Sequence, residues 1–481
     1  MLFNSYIFVF VFFPIVLLGY YILNKYGKYR LGEVFLLFMS LIFYGTFEIT
    51  SILILGISIL VNYGISIVIR KGKRKDVLIA GIFFNIIILG AFKYTNFLFS
   101  NVNNLLNLNI STIEWIVPIG LSFMTFQQIS YIVDVYRDNN IRYSLLEYSL
   151  YVMFFPYVIS GPIVRHNFLI PQFREEDRKE FNEENFAKGV YGFAVGLAKK
   201  VLLADTLAKV VNIGFANVYG LNTTTAIITI LSYTMQIYFD FSGYSDMVIG
   251  IGKMLNFDMP INFNSPYKAT NILEFWKRWH MSLTSFLTEY VYFPLGGNRK
   301  GKKRTYLNVF LVFLISGLWH GSNWTYIVWG ALHGGASVLN RVFKKKIDDR
   351  NQIASWLLLF LFVNFTWIFF RASSIGDAIA FIKALGTCDF GPISPELVSA
   401  FIIPEFGMML DLLFSNVEIV SRMLLVITIV IMILGILTMK NTVEKIEEFR
   451  PTNRKIIVTT ILLVWSIISF SGVTSFIYVN F

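Results

Sequence analysis

A single cysteine, Cys388, serves 481 residues. One thiol excludes an intrachain disulfide and a cysteine-based metal site, and makes a thiol nucleophile a poor fit. Charge is scarce too, with Asp, Glu, Lys and Arg together only 15% of the chain, and there are four histidines. Neither HExxH nor a convincing GxSxG occurs, which argues against a zinc protease and a serine hydrolase. No repeat, low-complexity tract or Pro/Gly/Ser-rich linker divides the sequence, so residues 1–481 read as a single domain. The first apolar run has no basic residue before it and no small-residue cleavage signal after it, so it reads as a retained helix.

What the chain does have is apolar surface: 56% of residues are hydrophobic and 17% aromatic. A soluble domain lacks the interior to hide that much. Met1–Asn24, Ile49–Ile69, Val210–Phe239, Thr305–Asn340, Asn351–Phe370 and Ile456–Phe481 contain no Asp, Glu, Lys or Arg. Each is long enough to cross a hydrocarbon core of roughly 30 Å, which takes about 20 helical residues. Inside lipid the backbone must satisfy itself, so these runs read as helices. The expected class is an all-α, polytopic membrane protein.

The formal charge of +11 sits in short clusters at Lys25–Arg30, Arg70–Lys75, Arg299–Arg304, Arg341–Arg350 and Lys440–Lys455. That is the pattern of cytoplasmic loops, not of a nucleic-acid surface. With all five on one side, the chain crosses an even number of times between neighbours and both termini lie outside. The run between Arg30 and Arg70 should break near Gly45–Glu48. Asn351–Phe370 and Met423–Met439 supply two crossings, leaving Arg371–Val417 external or interfacial. Arg165–Lys188 (residues 165–188) is polar and suits an interfacial segment or loop. Ala187–Phe215 carries Lys199, Lys200, Asp205 and Lys209, which suggests a helix lying at the interface. The Arg299–Arg304 cluster would also attract an anionic substrate such as a nucleotide-bearing acyl carrier.

Thr305–Asn340 has basic flanks on both sides, so the chain enters and returns. Its 36 residues reach only about 54 Å as helix, against roughly 60 Å for two crossings. A short or re-entrant hairpin is expected, with His320 near its midpoint and far from the cytoplasmic face. Ionisable groups inside a membrane are functional candidates by default. His320 stands between Gly317 and Gly321, and a neutral imidazole can take a proton from a hydroxyl; the plainer alternative is a hydrogen-bonded histidine between helices. His333, among Gly330, Gly334 and Gly335, is explained by close helix packing. His280 ends Glu274-Phe275-Trp276-Lys277-Arg278-Trp279-His280, either an interfacial anchor or a substrate path in which Lys277 and Arg278 meet phosphates. His166 caps a segment at the interface. Asp240 and Asp246 end an apolar run; they could orient an imidazole, bind a cation or form a solvated helix end. His320 and His333 are 13 residues apart, no standard ligand spacing, so no metal is expected.

Several ordered motifs resemble the membrane-bound O-acyltransferase family, in particular the branch of the membrane subunit of alginate O-acetyltransferase. They are Pro118–Phe123 with Thr125–Gln127, Asp134–Arg137, Ser160–Arg165, Tyr238–Asp246, Glu274–Leu283, Pro294–Arg299, Leu318–Gly334, Trp367–Ala372 and Phe476–Phe481. The resemblance implies a ring of helices around a thin central region with His320 on the hairpin, His320 as catalytic histidine and His280 as its upstream partner. Trp276, Lys277, Arg278, Trp279, Trp319, Asn323, Asp240 and Asp246 are the candidate substrate-path or donor-binding residues. The resemblance further implies a bacterial cytoplasmic membrane, acetyl-coenzyme A or another acyl thioester as donor and no permanently bound cofactor. The expected partners are membrane lipid, an extracytoplasmic SGNH-hydrolase-like acetyltransferase and a cell-surface polysaccharide as final acceptor. Two positions depart from the pattern: Phe286-Leu287-Thr288-Glu289-Tyr290 replaces Trp-Leu-Arg-Asp-Tyr, and Ser475 replaces a proline. D-alanyl transfer toward teichoic acid, a transporter and a non-catalytic scaffold are the competing readings.

Overall fold

The computed structural model describes residues 1–113, 117–344, 350–401, 417–472 and 476–477. Among the described residues every regular element is helical. Helices α1 (Phe13–Lys25), α2 (Tyr29–Gly45), α3 (Ile49–Gly72), α4 (Lys75–Leu106) and α5 (Leu121–Arg137) run up and down. The break expected near Gly45–Glu48 is present, and Glu48 caps α3 by accepting from the Thr50 amide at 3.4 Å and its hydroxyl at 2.7 Å. Polar residues fasten these apolar helices together. Asn62 of α3 donates to Gln128 of α5, Asn85 of α4 donates to Asn62 at 2.7 Å, and Ser58 donates to Gln128 at 2.9 Å. With little hydrophobic drive between helices in lipid, such bonds and small-residue contacts specify packing.

Among the described residues, five helical stretches are long and apolar enough to cross a membrane: Phe8–Lys25, Ile49–Gly72, Lys75–Leu106, Gln352–Arg371 and Ile419–Thr438. The third is missing from the charge-free runs because Lys93 interrupts it.

The centre of the molecule is α10 (Thr223–Met254), buried on nearly all sides. Against it lie α8 (Glu183–Ala198) and α9 (Asp205–Ala216), joined by a π-helical turn at Lys199–Ala204. Glycines let the backbones touch: a Cβ on Gly196 would sit 2.6 Å from the Gly243 carbonyl, and one on Gly250 2.5 Å from the Phe193 amide. The expected interfacial helix over Ala187–Phe215 is therefore corrected. Lys199, Lys200 and Asp205 turn inward and are paired, with Lys199 Nζ 2.7 Å from Asp246 and Lys200 Nζ 2.8 and 2.7 Å from Asp205 and Asp240, while Lys209 is exposed. The single run Val210–Phe239 is also divided, because α9 ends at Ala216 and α10 starts at Thr223 behind an Asn222 cap. The polar segment 165–188 folds into α7 (His166–Arg174), one 3-10 turn and the start of α8.

The hairpin forms from α13 (Gly301–His320) and α14 (Trp324–Val342). Its arms rise about 30 and 28 Å, longer than the charge-free run implied. Helix α13 absorbs the basic flank Lys302–Arg304, whose long side chains can reach back to an aqueous surface.

The two ends of the bundle are distinct. Lys253–Glu447 at 3.0 Å, Arg178–Asp258 at 2.9 Å and Lys268 Nζ to the Met439 carbonyl at 2.6 Å tie together segments next to the basic clusters. At the other end the Thr223 amide donates to Asp389 at 2.9 Å, Asn323 to the Ser373 carbonyl at 2.8 Å and Met1 to Thr46 at 2.5 Å. The described part of Arg371–Val417 adds helices Ile375–Gly386 and Pro395–Phe401 there.

Candidate active site

His320 is the last residue of α13, about 28 Å along its axis from the basic end. It is buried, at 2% exposure, in a cage of rings: Trp319 at 4.9 Å, Phe370 at 5.1 Å and Trp329 at 5.2 Å between centroids. The turn that follows is tight because a Cβ on Gly321 would fall 2.1 Å from the Tyr326 ring.

His280 arrives from elsewhere. It joins α11 (Ile272–Arg278) to α12 (Met281–Leu287) with φ 44° and ψ 54°, left-handed geometry that is costly without glycine. Asn262 holds the strained turn: its carbonyl accepts from the Met281 amide at 3.0 Å, and its Oδ1 from Ser282 N at 3.2 Å and Oγ at 2.6 Å. The Ser282 hydroxyl in turn accepts from the Ile163 amide at 2.9 Å. This places the His280 ring 6.3 Å from His320, with Phe241 at 4.8 Å on its other side. Two histidines 40 residues apart in sequence thus share one aromatic chamber.

A cavity of about 560 Å³ reaches His320 from the hairpin tip. Lys93, Gly120, Ser122, Asn323 and Tyr326 line it with His320. It lies at the end of α13 opposite the Arg299–Arg304 loop.

The chain's similarity to known proteins fits this chamber. Residues 91–375 match the membrane-bound O-acyltransferase family. The chain belongs to that family. It is 41% identical over 419 residues to the peptidoglycan O-acetyltransferase of Helicobacter pylori, spanning 80% of both chains. It is 38% identical over 397 residues to the probable alginate O-acetylase AlgI of Pseudomonas aeruginosa, spanning 80% of this chain and 75% of that one. The teichoic acid D-alanyltransferase of Bacillus subtilis is more distant, at 27% over 240 residues.

The other expected site residues divide. Trp319 stays in the chamber, stacked on Phe126 at 5.2 Å. Asn323 lines the cavity while its Oδ1 caps α14 by accepting from the Thr325 amide at 3.1 Å. Trp279 is buried one layer behind, against Trp367 at 5.2 Å. Trp276 donates to His333 Nδ1 at 3.2 Å, and His333 Nε2 lies 3.0 Å from the Thr366 hydroxyl. Because an indole only donates, His333 accepts at Nδ1 and carries its proton on Nε2. Both its nitrogens are engaged in helix packing, as the plainer reading had it.

Arg278 pairs with Glu274 at 2.9 Å and donates to the Asn264 carbonyl at 3.1 Å, while Lys277 is exposed. Asp240 and Asp246 form no solvated helix end. They lie within α10, which continues past them because Lys200 and Lys199 neutralise them. Asp240 also accepts from the Ile477 amide at 2.9 Å. His166 is buried between the Tyr143 hydroxyl at 2.9 Å and Asp134 at 3.1 Å. The divergent Glu289 bridges Arg137 at 3.1 Å and Arg165 at 2.6 Å, joining two of the recognised motifs. Among the described residues no group of three His, Cys, Asp or Glu side chains could hold a metal.

The sequence reading missed Lys93 and Tyr326. A lone lysine inside the apolar stretch 77–106 was a usable signal, since a charge at membrane depth needs a reason.

Proposed function

We propose that this chain transfers an acyl group, most simply acetyl, from a cytoplasmic thioester to a hydroxyl on the far side of the membrane for O-acylation of a cell-surface polysaccharide. The observation that carries the reading is His320 in its aromatic chamber beside His280, at the floor of a cavity opening away from the basic loops. A neutral imidazole takes the proton as the acceptor hydroxyl attacks the thioester carbonyl. The tetrahedral adduct then collapses, the C–S bond breaks, and the departing thiolate takes the proton back from the imidazolium. The dry chamber guards the thioester against water.

The exposed Arg299–Arg304 cluster at the foot of α13 suits the phosphates of acetyl-coenzyme A as the approaching donor. A secreted SGNH-hydrolase-like partner would carry the ester from the cavity mouth to the glycan. In this topology the basic loops face the cytoplasm of a bacterial inner membrane and Met1 lies outside.

The test is the ester-linked acyl content of surface glycan in cells carrying wild type or His320→Ala at equal membrane levels. Loss of one ester species is expected, and its mass names the group; a D-alanyl ester would favour the second reading, which the Bacillus relative supports. Unchanged esters with His320→Ala would refute catalysis at His320.

A further inference from the structure

Helix α13 stops at His320, and a helix end leaves its last carbonyls without intrahelical donors. Where protein packs around that end, the carbonyls need donors from neighbouring elements. The Gly317 carbonyl accepts from the Gly321 amide at 3.4 Å. The next two carbonyls are served by adjacent residues of α4: Leu318 O accepts from the Tyr94 hydroxyl at 2.7 Å, and Trp319 O accepts from the Lys93 ammonium. The Lys93 nitrogen is also 5.7 Å from the Trp319 ring centroid and 3.5 Å from Ser122 Oγ. Further along the same face of α4, Phe97 meets the Trp324 ring at 5.9 Å and Asn101 accepts from the Trp324 indole at 2.8 Å. One helix therefore grips the hairpin on both sides of its turn. The residues responsible stand at positions 93, 97 and 101, an i, i+4 ladder.

We infer that Lys93 and Tyr94 are positioning residues for His320, holding the end of α13 so that the imidazole meets the cavity in one orientation. The inference rests on the reading of His320 as the base. Lys93 is half-buried, so its ammonium gives up part of its hydration to cap the helix, and a positive charge suits the negative end of the α13 dipole. The residue before the histidine is the one it grips. Release of that grip would let the ring drift, and misplacement by about 1 Å can cost on the order of 100-fold in rate.

The experiment follows ester accumulation on the surface glycan over time, normalised to folded full-length protein in the membrane, for wild type, Lys93→Met, Lys93→Arg, Tyr94→Phe and His320→Ala. Lys93→Met should slow the rate per folded molecule by about 10- to 100-fold. Lys93→Arg, which keeps a cationic donor, should recover most of it, and Tyr94→Phe should show a smaller loss in the same direction. If Lys93→Met does not fold, the Arg and Tyr94→Phe variants decide alone: wild-type rates in Tyr94→Phe together with no activity in folded Lys93→Arg would overturn the inference. Wild-type rate per folded molecule in Lys93→Met, with His320→Ala inactive, would also overturn it while sparing the proposed function. Full activity in His320→Ala would overturn both.

Discussion

Lys200 offers the sharpest test of the packing around α10. Its ammonium lies 2.8 Å from Asp205 and 2.7 Å from Asp240, and all three side chains are at most 5% exposed. Lys200→Met keeps the volume of the stem but leaves two carboxylates near one another in the interior. A unit-charge pair at such a distance is worth roughly 4 kcal/mol or more at an effective dielectric of about 20, and breaking one buried pair costs about 3–5 kcal/mol. Two pairs are lost here, so the variant should fall at the upper end, about 5 kcal/mol. Replacing the acids as well (Asp205→Asn, Lys200→Met, Asp240→Asn) removes the stranded charges and should return the protein to within about 2 kcal/mol of wild type, because a whole buried ion set exchanges against neutral groups at little net cost. Unfolding by SDS titration in mixed micelles measures both. A loss under about 1 kcal/mol in the single variant, or no recovery in the triple, would refute the assignment of these charges as a neutralised core cluster.

Three further outcomes are expected. Gly196→Val forces a side chain onto the Gly243 carbonyl, where even a Cβ would be at 2.6 Å; backbone cannot rotate away, so SDS titration should show a loss of about 3 kcal/mol or more. Asn62→Leu deprives Asn85 and Gln128 of their shared partner and should lower stability by about 1–2 kcal/mol in the same assay. Asn262→Ala removes the acceptor that Ser282 uses to hold the turn at His280; ester formation per folded molecule should drop by about tenfold while chromatographic behaviour is unchanged, given the sensitivity of rate to small misplacements.

Much of the fold was legible because the bilayer imposes coarse rules: the break at Gly45–Glu48 and the hairpin both follow from where charge is absent or clustered. The same rule misled where charges are paired in the interior. Lys199, Lys200 and Asp205 looked like headgroup contacts, and Asp240 and Asp246 like the end of a helix, because a sequence displays each charge without its partner. Lys93 escaped for a related reason: it broke an apolar run that was otherwise long enough to stand out, and its purpose lies 226 residues away at Trp319. The histidine pair was visible as residues but not as a pair. Their 6.3 Å approach depends on the left-handed turn that Asn262 supports, and no local pattern announces it.

Tyr244 near the middle of α10 is flanked by Phe3, stacked at 5.2 Å, and Phe476, edge-on at 4.7 Å. Residues hundreds of positions apart in the chain meet on one ring. During biogenesis the early helices must wait in the bilayer with this side of α10 uncovered until residue 476 has left the ribosome. Losing either phenylalanine would open Tyr244 on one side, so two segments far apart in the chain depend on one aromatic seat in α10.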